Sequence, residues 1–235
     1  ADESGLQVIL ATGLYTYDHL PQFLLNRDED AIAAIFVHEV ENGIQGTGIK
    51  PAFIKCAADE PGITPNIEKV HRAAARASVQ TGRPIMAHSR PASGTGPEQM
   101  RILTEEGVDP AKVQVAHTGD TDDLDYIEKL LERGPFIGMD RYGLDIFLPT
   151  DKRQATVLAL LEKGHVDRMF LSQDYCSTLD WFPPEVEEQM KQQMVPKWSM
   201  TFLFEEVIPE LKERGMTDEQ LDQMMVENPK SWLAV

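Results

Sequence analysis

Short apolar runs that end on a polar or ionisable side chain recur along this chain, and stretches with helical apolar spacing separate them. Pro51-Ala-Phe-Ile-Lys55, Pro84-Ile-Met-Ala-His88, Val113-Gln-Val-Ala-His117 and Met169-Phe-Leu-Ser-Gln-Asp174 are the clearest cases. Runs of this kind suit strands buried on both faces, and their alternation with amphipathic helices selects βα units on a parallel sheet. Strands are expected at 6–12, 52–55, 85–88, 113–117, 136–139 and 169–172. Helices are expected at 28–42, 66–81, 97–106, 121–133 and 150–163, with Gly43, Gly82, Gly107, Gly134 and Gly164 placed as stop signals behind them. Beyond the last strand, 185–194 and 201–215 read as further helices, and Thr217 is a plausible N-cap for a terminal one. The expected class is α/β, a (β/α)8 TIM barrel of which about six βα units are present, forming a single domain over 1–235.

In such a barrel the carboxyl ends of the strands converge on one face, where chemistry is built. Lys55, His88, His117 and Asp174 stand at those ends. Neutral imidazole and carboxylate are common ligands of zinc-like ions, so His88, His117 and Asp174 are candidate metal ligands. Asp174 could also accept a proton from a bound water. The plainer readings are hydrogen-bonded pocket histidines and a turn carboxylate before Tyr175. Lys55 has the wrong charge for a ligand, because an amine with a pKa of about 10.4 is cationic at neutral pH. It could lose its proton on burial and act as a Schiff-base nucleophile, capture carbon dioxide as an anionic carbamate that bridges two metals, or extend to solvent from the barrel rim.

The charge balance narrows the partners. Lys plus Arg number 22 against 39 Asp plus Glu, a net charge of -17, which repels phosphate backbones and argues against nucleic acid. No apolar run approaches the roughly 18 residues of a membrane span, and a cytoplasmic protein is expected. Cys56 and Cys176 are too few for a disulfide scaffold and read as buried or pocket-lining thiols.

Taken in order, Thr12-Gly-Leu-Tyr-Thr-Tyr17, Phe53-Ile-Lys-Cys-Ala57, Asp59-Glu-Pro-Gly62, Ala87-His-Ser89, Gly119-Asp-Thr-Asp122, Gly138-Met-Asp-Arg-Tyr-Gly-Leu-Asp145 and Ser172-Gln-Asp-Tyr-Cys176 are informative together. On these residues the chain resembles the phosphotriesterase-like lactonases of the amidohydrolase superfamily, over nearly all its length. The resemblance implies two divalent ions (Zn, Fe, Co or Mn) bridged by carbamylated Lys55, with His88 and His117 on the more exposed ion and Asp174 on the more buried one. It further implies a hydroxide between the metals that opens N-acyl-homoserine or other alkyl lactones, with organophosphate triester hydrolysis as a weaker activity and a homodimer as the assembly. Tyr15 and Arg141 would orient the lactone head, and Cys176, Trp181 and Trp198 would line the acyl channel. Tyr15 could instead only pack the barrel mouth, and Arg141 could only pair with Asp140 or Asp145.

Three departures stand out, the smallest being Gln173, which stands where close relatives commonly have His before the Asp. The family's H-x-H pair on its first strand occurs nowhere among the six histidines, so the chain is expected to begin at the family's third strand as part of a longer protein. Ser89-Arg-Pro-Ala-Ser-Gly94 replaces the family's Asn-containing loop. The rival expectations are a metal-free aldolase-type barrel using Lys55 and a catalytically inactive truncated scaffold.

Overall fold

The computed structural model describes residues 3, 5–16, 18–178 and 182–234. Its strands are β1 (Ala11–Gly13), β2 (Phe53–Ala57), β3 (Ile85–His88), β4 (Val113–Ala116), β5 (Phe136–Met139) and β6 (Met169–Leu171), ordered in the sheet as they are in the chain. The β1–β2, β2–β3 and β5–β6 pairings are parallel, with Gly13 opposite Lys55, Ala57 opposite His88 and Gly138 opposite Phe170. Helices α1 (Glu29–Asn42), α2 (Pro65–Thr81), α3 (Thr95–Glu105), α4 (Leu124–Leu131) and α5 (Thr150–Glu162) fall between strands. After β6 come α6 (Pro184–Met194), a π turn (Leu203–Val207) running into α7 (Ile208–Glu213), α8 (Asp218–Asp222) and α9 (Asn228–Leu233). Among the described residues no helix is long and apolar enough to cross a membrane.

The helix starts are written locally. The side chains of Asp28, Thr64 and Asp123 accept from the backbone N–H three residues on, satisfying a donor that the helix itself cannot. Thr217 and Gln220 form a reciprocal capping box at α8. Each of the five glycines expected as helix stops has positive φ, a region that side chains with a Cβ rarely enter.

Two compact units make up the chain. The first is Ala1–Val115 with Arg133–Pro135 and Trp232–Val235; the second is Ala116–Glu132 with Phe136–Ser231. In the first, α1 and α2 pack together, and Ile54, Ile85, Val113 and Val115 from the strands join Ile67, Val70, Ala73 and Ala74 of α2 in the core. The small α2 residues allow close approach, and each large aliphatic side chain removed from water contributes about 1.5–3 kcal/mol. Trp232 is buried with this unit, its indole N–H donating to Lys112 O at 3.0 Å and its ring lying 5.4 Å from Phe53. In the second unit, Ile127, Leu130, Ile137, Val157, Leu160, Met169, Leu203, Val207 and Leu211 are buried. Asn228 donates to Val166 O and Met169 O, fixing the start of β6.

Two expected starts move by three residues or more. β1 begins at Ala11, not at residue 6. Ala52 N donates to Leu10 O, but the residue before it is Pro51, which has no N–H to carry the ladder further back. Leu6, Val8 and Ile9 are exposed. Helix α4 starts at Leu124 and not at 121, because Asp123 takes the capping position and Thr121 is extended, its hydroxyl accepting from Asp123 N.

Candidate functional site

Three of the four described non-glycine residues with positive φ are expected site residues: His117 (φ 63°), Arg141 (φ 63°) and Asp174 (φ 51°). Each follows a strand by one to three residues. A left-handed residue there turns the chain sharply and aims its side chain away from the strand, a conformation that costs energy and persists only where its surroundings enforce it.

The first unit carries Lys55, His88 and Tyr15. Lys55 is half-buried on β2, and β1 approaches its backbone closely enough that only glycine fits opposite: a Cβ on Gly13 would lie 1.9 Å from Lys55 O. His88, 1% exposed, ends β3. Its Nε2 pairs with Asp59 Oδ2 at 2.8 Å, and Asp59 Oδ1 accepts from Arg90 Nη1 at 3.0 Å and from Glu60 N at 2.8 Å. Burial pushes the Asp59 carboxyl up, but these donors outweigh it and hold the group well below the usual carboxylate range. Tyr15 meets the His88 ring edge-on, 5.0 Å between centroids, and keeps 42% of its surface exposed. Cys56 is fully buried, which pushes its thiol up to about 12 despite the nearby Lys55 charge, so it stays protonated and inert.

The second unit carries His117, Arg141 and Asp174. Asp140 grips His117 twice, accepting from its backbone N–H at 3.0 Å and from Nδ1 at 2.9 Å. Asp174 Oδ2 lies 3.7 Å from the same Nδ1. Arg141 spans two carboxylates, Nη1 to Asp120 Oδ2 at 2.8 Å and Nε to Asp174 Oδ2 at 3.1 Å, and its guanidinium lies over the Phe147 ring. Burial opposes the Arg141 charge, yet Asp120, Asp140 and Asp174 together raise its pKa further. Asp145, considered as its partner, instead accepts from Thr150 at the head of α5. Cys176 is half-buried, its thiol raised chiefly by burial. Trp198 is half-buried with its ring 5.2 Å from Tyr175, and Gly143 admits no side chain because a Cβ there would meet Trp198 Cα at 2.7 Å. Trp181 lies outside the described residues.

Among the described residues no three His, Cys, Asp or Glu side chains gather into a ready-made cage. The donor chemistry still suits a divalent ion. A histidine that ligates through one nitrogen needs a partner on the other to fix its tautomer and aim its ring. Asp59 serves His88 on Nε2 and Asp140 serves His117 on Nδ1, so the binding atoms would be Nδ1 of His88 and Nε2 of His117. Four polar residues of these surroundings were not among the expected site residues: Asp59, Asp120, Asp140 and Arg153. Asp120 and Asp140 follow His117 and Gly138 closely enough to suggest strand-end roles. Arg153, between Lys152 and Gln154, has the signature of a solvent-facing helix residue.

The family model described as Phosphotriesterase family matches residues 1–233. An aryldialkylphosphatase of Saccharolobus solfataricus is 49% identical over 231 residues, spanning 98% of this chain and 73% of that protein. A solved phosphotriesterase from Mycobacterium tuberculosis superposes with a TM-score of 0.91 at 41% identity, covering 96% of this chain and 70% of its own. The Escherichia coli phosphotriesterase homology protein, solved with phosphate in its active site, gives 0.87 at 32% identity, covering 99% of this chain and 77% of its own. The fold class is therefore the expected α/β TIM barrel class. Left-handed strand ends bearing His117, Arg141 and Asp174, carboxylate-oriented histidines and matches over nearly the whole chain agree: this chain belongs to the phosphotriesterase family.

Proposed function

We propose that this chain is a metal-dependent hydrolase that opens N-acyl-homoserine or other alkyl lactones and cleaves phosphotriesters as a weaker, promiscuous activity. The observation that carries this reading is the pairing of each strand-end histidine with a carboxylate on one ring nitrogen, His88 with Asp59 and His117 with Asp140. Lys55 as a carbamate, His88, His117 and Asp174 would hold two divalent ions (Zn, Fe, Co or Mn). Bound there, such ions supply an activated water and a Lewis acid for the carbonyl or phosphoryl oxygen.

The remaining chemistry falls to the chain. Asp174, with 39% of its side chain exposed, is open enough to take up the proton released as water adds. Arg141, fixed by Asp120 and Asp174, offers a charged donor to the substrate's polar head. Tyr15 presents its hydroxyl-bearing ring beside His88, and the acyl channel of this reading would run past Cys176 and Trp198. Lactones and triesters share a demand, since both reactions build negative charge on an oxygen around a crowded centre, and one arrangement of donors serves both.

Metal analysis paired with hydrolysis of an N-acyl-homoserine lactone and of a dialkyl aryl phosphate tests the reading. Activity should vanish on chelation and return with added metal, the lactone being the better substrate. Full activity in metal-free protein would reject the proposal, and borohydride trapping of substrate on Lys55 would replace it with a Schiff-base mechanism. The reading includes a cytoplasmic homodimer. Light scattering that gives the mass of one chain would reject the dimer.

A further inference from the structure

We propose that Arg153 is a positioning residue: from inside α5 it occupies one oxygen of Asp120 and clasps the turns after β4 and β5, so that Arg141 stays aimed at Asp174. Arg153 is 1% exposed. Its Nε donates to Leu148 O at 3.0 Å, and its Nη1 donates to Gly119 O at 2.8 Å and Asp140 O at 3.1 Å and lies 2.7 Å from Asp120 Oδ1. One guanidinium thus donates to three carbonyls and holds a carboxylate by charge alone, its Nη2 and Asp120 Oδ1 making no hydrogen bond. They belong to the turn bearing His117, Gly119 and Asp120, the turn bearing Asp140 and Arg141, and the approach to α5.

Stability alone does not call for this. Burying a guanidinium carries a large desolvation penalty, and apolar side chains often replace buried ion pairs without loss. What a hydrophobe cannot do is divide Asp120. The Arg153 charge, 2.7 Å from Oδ1, blocks that oxygen without donating a hydrogen bond to it, so Arg141 meets Asp120 at Oδ2 through a single nitrogen, Nη1. The Arg141 Nε is then directed to Asp174 Oδ2 at 3.1 Å. Without Arg153, both oxygens of Asp120 would be open to a two-pronged pair with Nη1 and Nη2 of Arg141, a geometry that guanidinium and carboxylate prefer and that leaves Nε without its carboxylate. Arg141 would swing toward Asp120 and release Asp174.

The inference rests on the proposed hydrolase reading only for what Arg141 and Asp174 do to a substrate, and the test separates the two. In the full 15N-labelled chain, the Arg141 Nε–H signal, assigned by its loss in Arg141→Lys, should exchange slowly with solvent. Arg153→Met should speed that exchange about tenfold or more and lower kcat/KM for the lactone by about 10- to 100-fold, the scale of a misplaced contact. Arg153→Lys should restore part of both. Arg153→Met combined with Arg141→Met should be no slower than Arg141→Met alone, since the first residue acts through the second. Should Arg153→Met not fold, Arg153→Gln, a shorter polar replacement without the charge, should still speed the Arg141 exchange. Unchanged exchange in the folded variants, or losses that multiply in the double variant, would overturn the proposal. A chain that hydrolyses neither substrate while the exchange responds as stated would sink the hydrolase reading and support this one.

Discussion

His71, on α2, is fully buried; its Nδ1–H donates to Ile67 O at 2.8 Å and its Nε2 accepts from the Gln99 amide at 2.9 Å. The same Gln99 nitrogen donates to His88 O at 2.8 Å, so the tautomer of His71 helps to fix a backbone group of a candidate ligand. Burial lowers the His71 pKa to about 4, against the weaker upward pull of Ile67 O and Glu68. A proton on Nε2 would also face the Gln99 N–H. As pH falls below about 6.5, the unfolded chain takes up a proton that the folded chain refuses until about pH 4, so stability drops across that window and levels off below it. The full shift corresponds to about 3 kcal/mol. Urea unfolding at about pH 7 and about pH 4.5 should show the parent losing more stability than His71→Gln by an amount of that order. Equal losses would mean that His71 already carries its proton in the fold.

At the scale of elements, α6 holds the segment that follows β6. Lys191 donates to Cys176 O at 2.9 Å and Ser177 O at 2.7 Å, pairs with the buried Glu187 at 2.7 Å, and lies 5.3 Å and 5.7 Å from the rings of Tyr175 and Trp198. One ammonium therefore ties the helix to the stretch just after Asp174. Lys191→Met keeps the aliphatic stem but strands two carbonyls and a carboxylate. It should cost about 1–3 kcal/mol in urea unfolding and lower kcat/KM more for long-chain than for short-chain lactones. A loss below about 0.5 kcal/mol with unchanged chain-length preference would show that the ammonium is idle. Pattern made the strands and helices legible beforehand, since apolar runs closed by Lys55, His88, His117 and Asp174 alternate with capped, glycine-stopped helices. It could not show that Pro51 would end the ladder at Leu10. Nor could it show Asp59 under His88 or Arg153 under Asp120, because those partners lie far apart along the chain. A buried helical arginine and a surface one look alike until the turns that enclose it are folded.

At the scale of the whole molecule, 39 acidic against 22 basic side chains set the terms on which a substrate approaches. Several basic residues are already committed: Arg72 pairs with Glu68, Glu105 and Glu106 at 2.6–2.9 Å, and Arg76 with Glu106 and Asp30 at 2.9 Å. Contacts that short lie well inside the screening length of about 10 Å at 0.1 M salt and are little changed by it, whereas the net field of -17 acts over longer distances and is screened. A neutral lactone or triester feels no net force in that field. An anionic diester is repelled until salt shortens the field's reach. Between about 0.01 M and 0.15 M salt, kcat/KM for a neutral lactone or triester should stay level, while that for an anionic phosphodiester should start low and rise. The comparison isolates charge from chemistry because, in the proposed function, both phosphorus substrates would meet the same Arg141 and Asp174. A neutral substrate whose kcat/KM climbs with salt as steeply as the diester's would show that the acidic surface does not select for uncharged substrates.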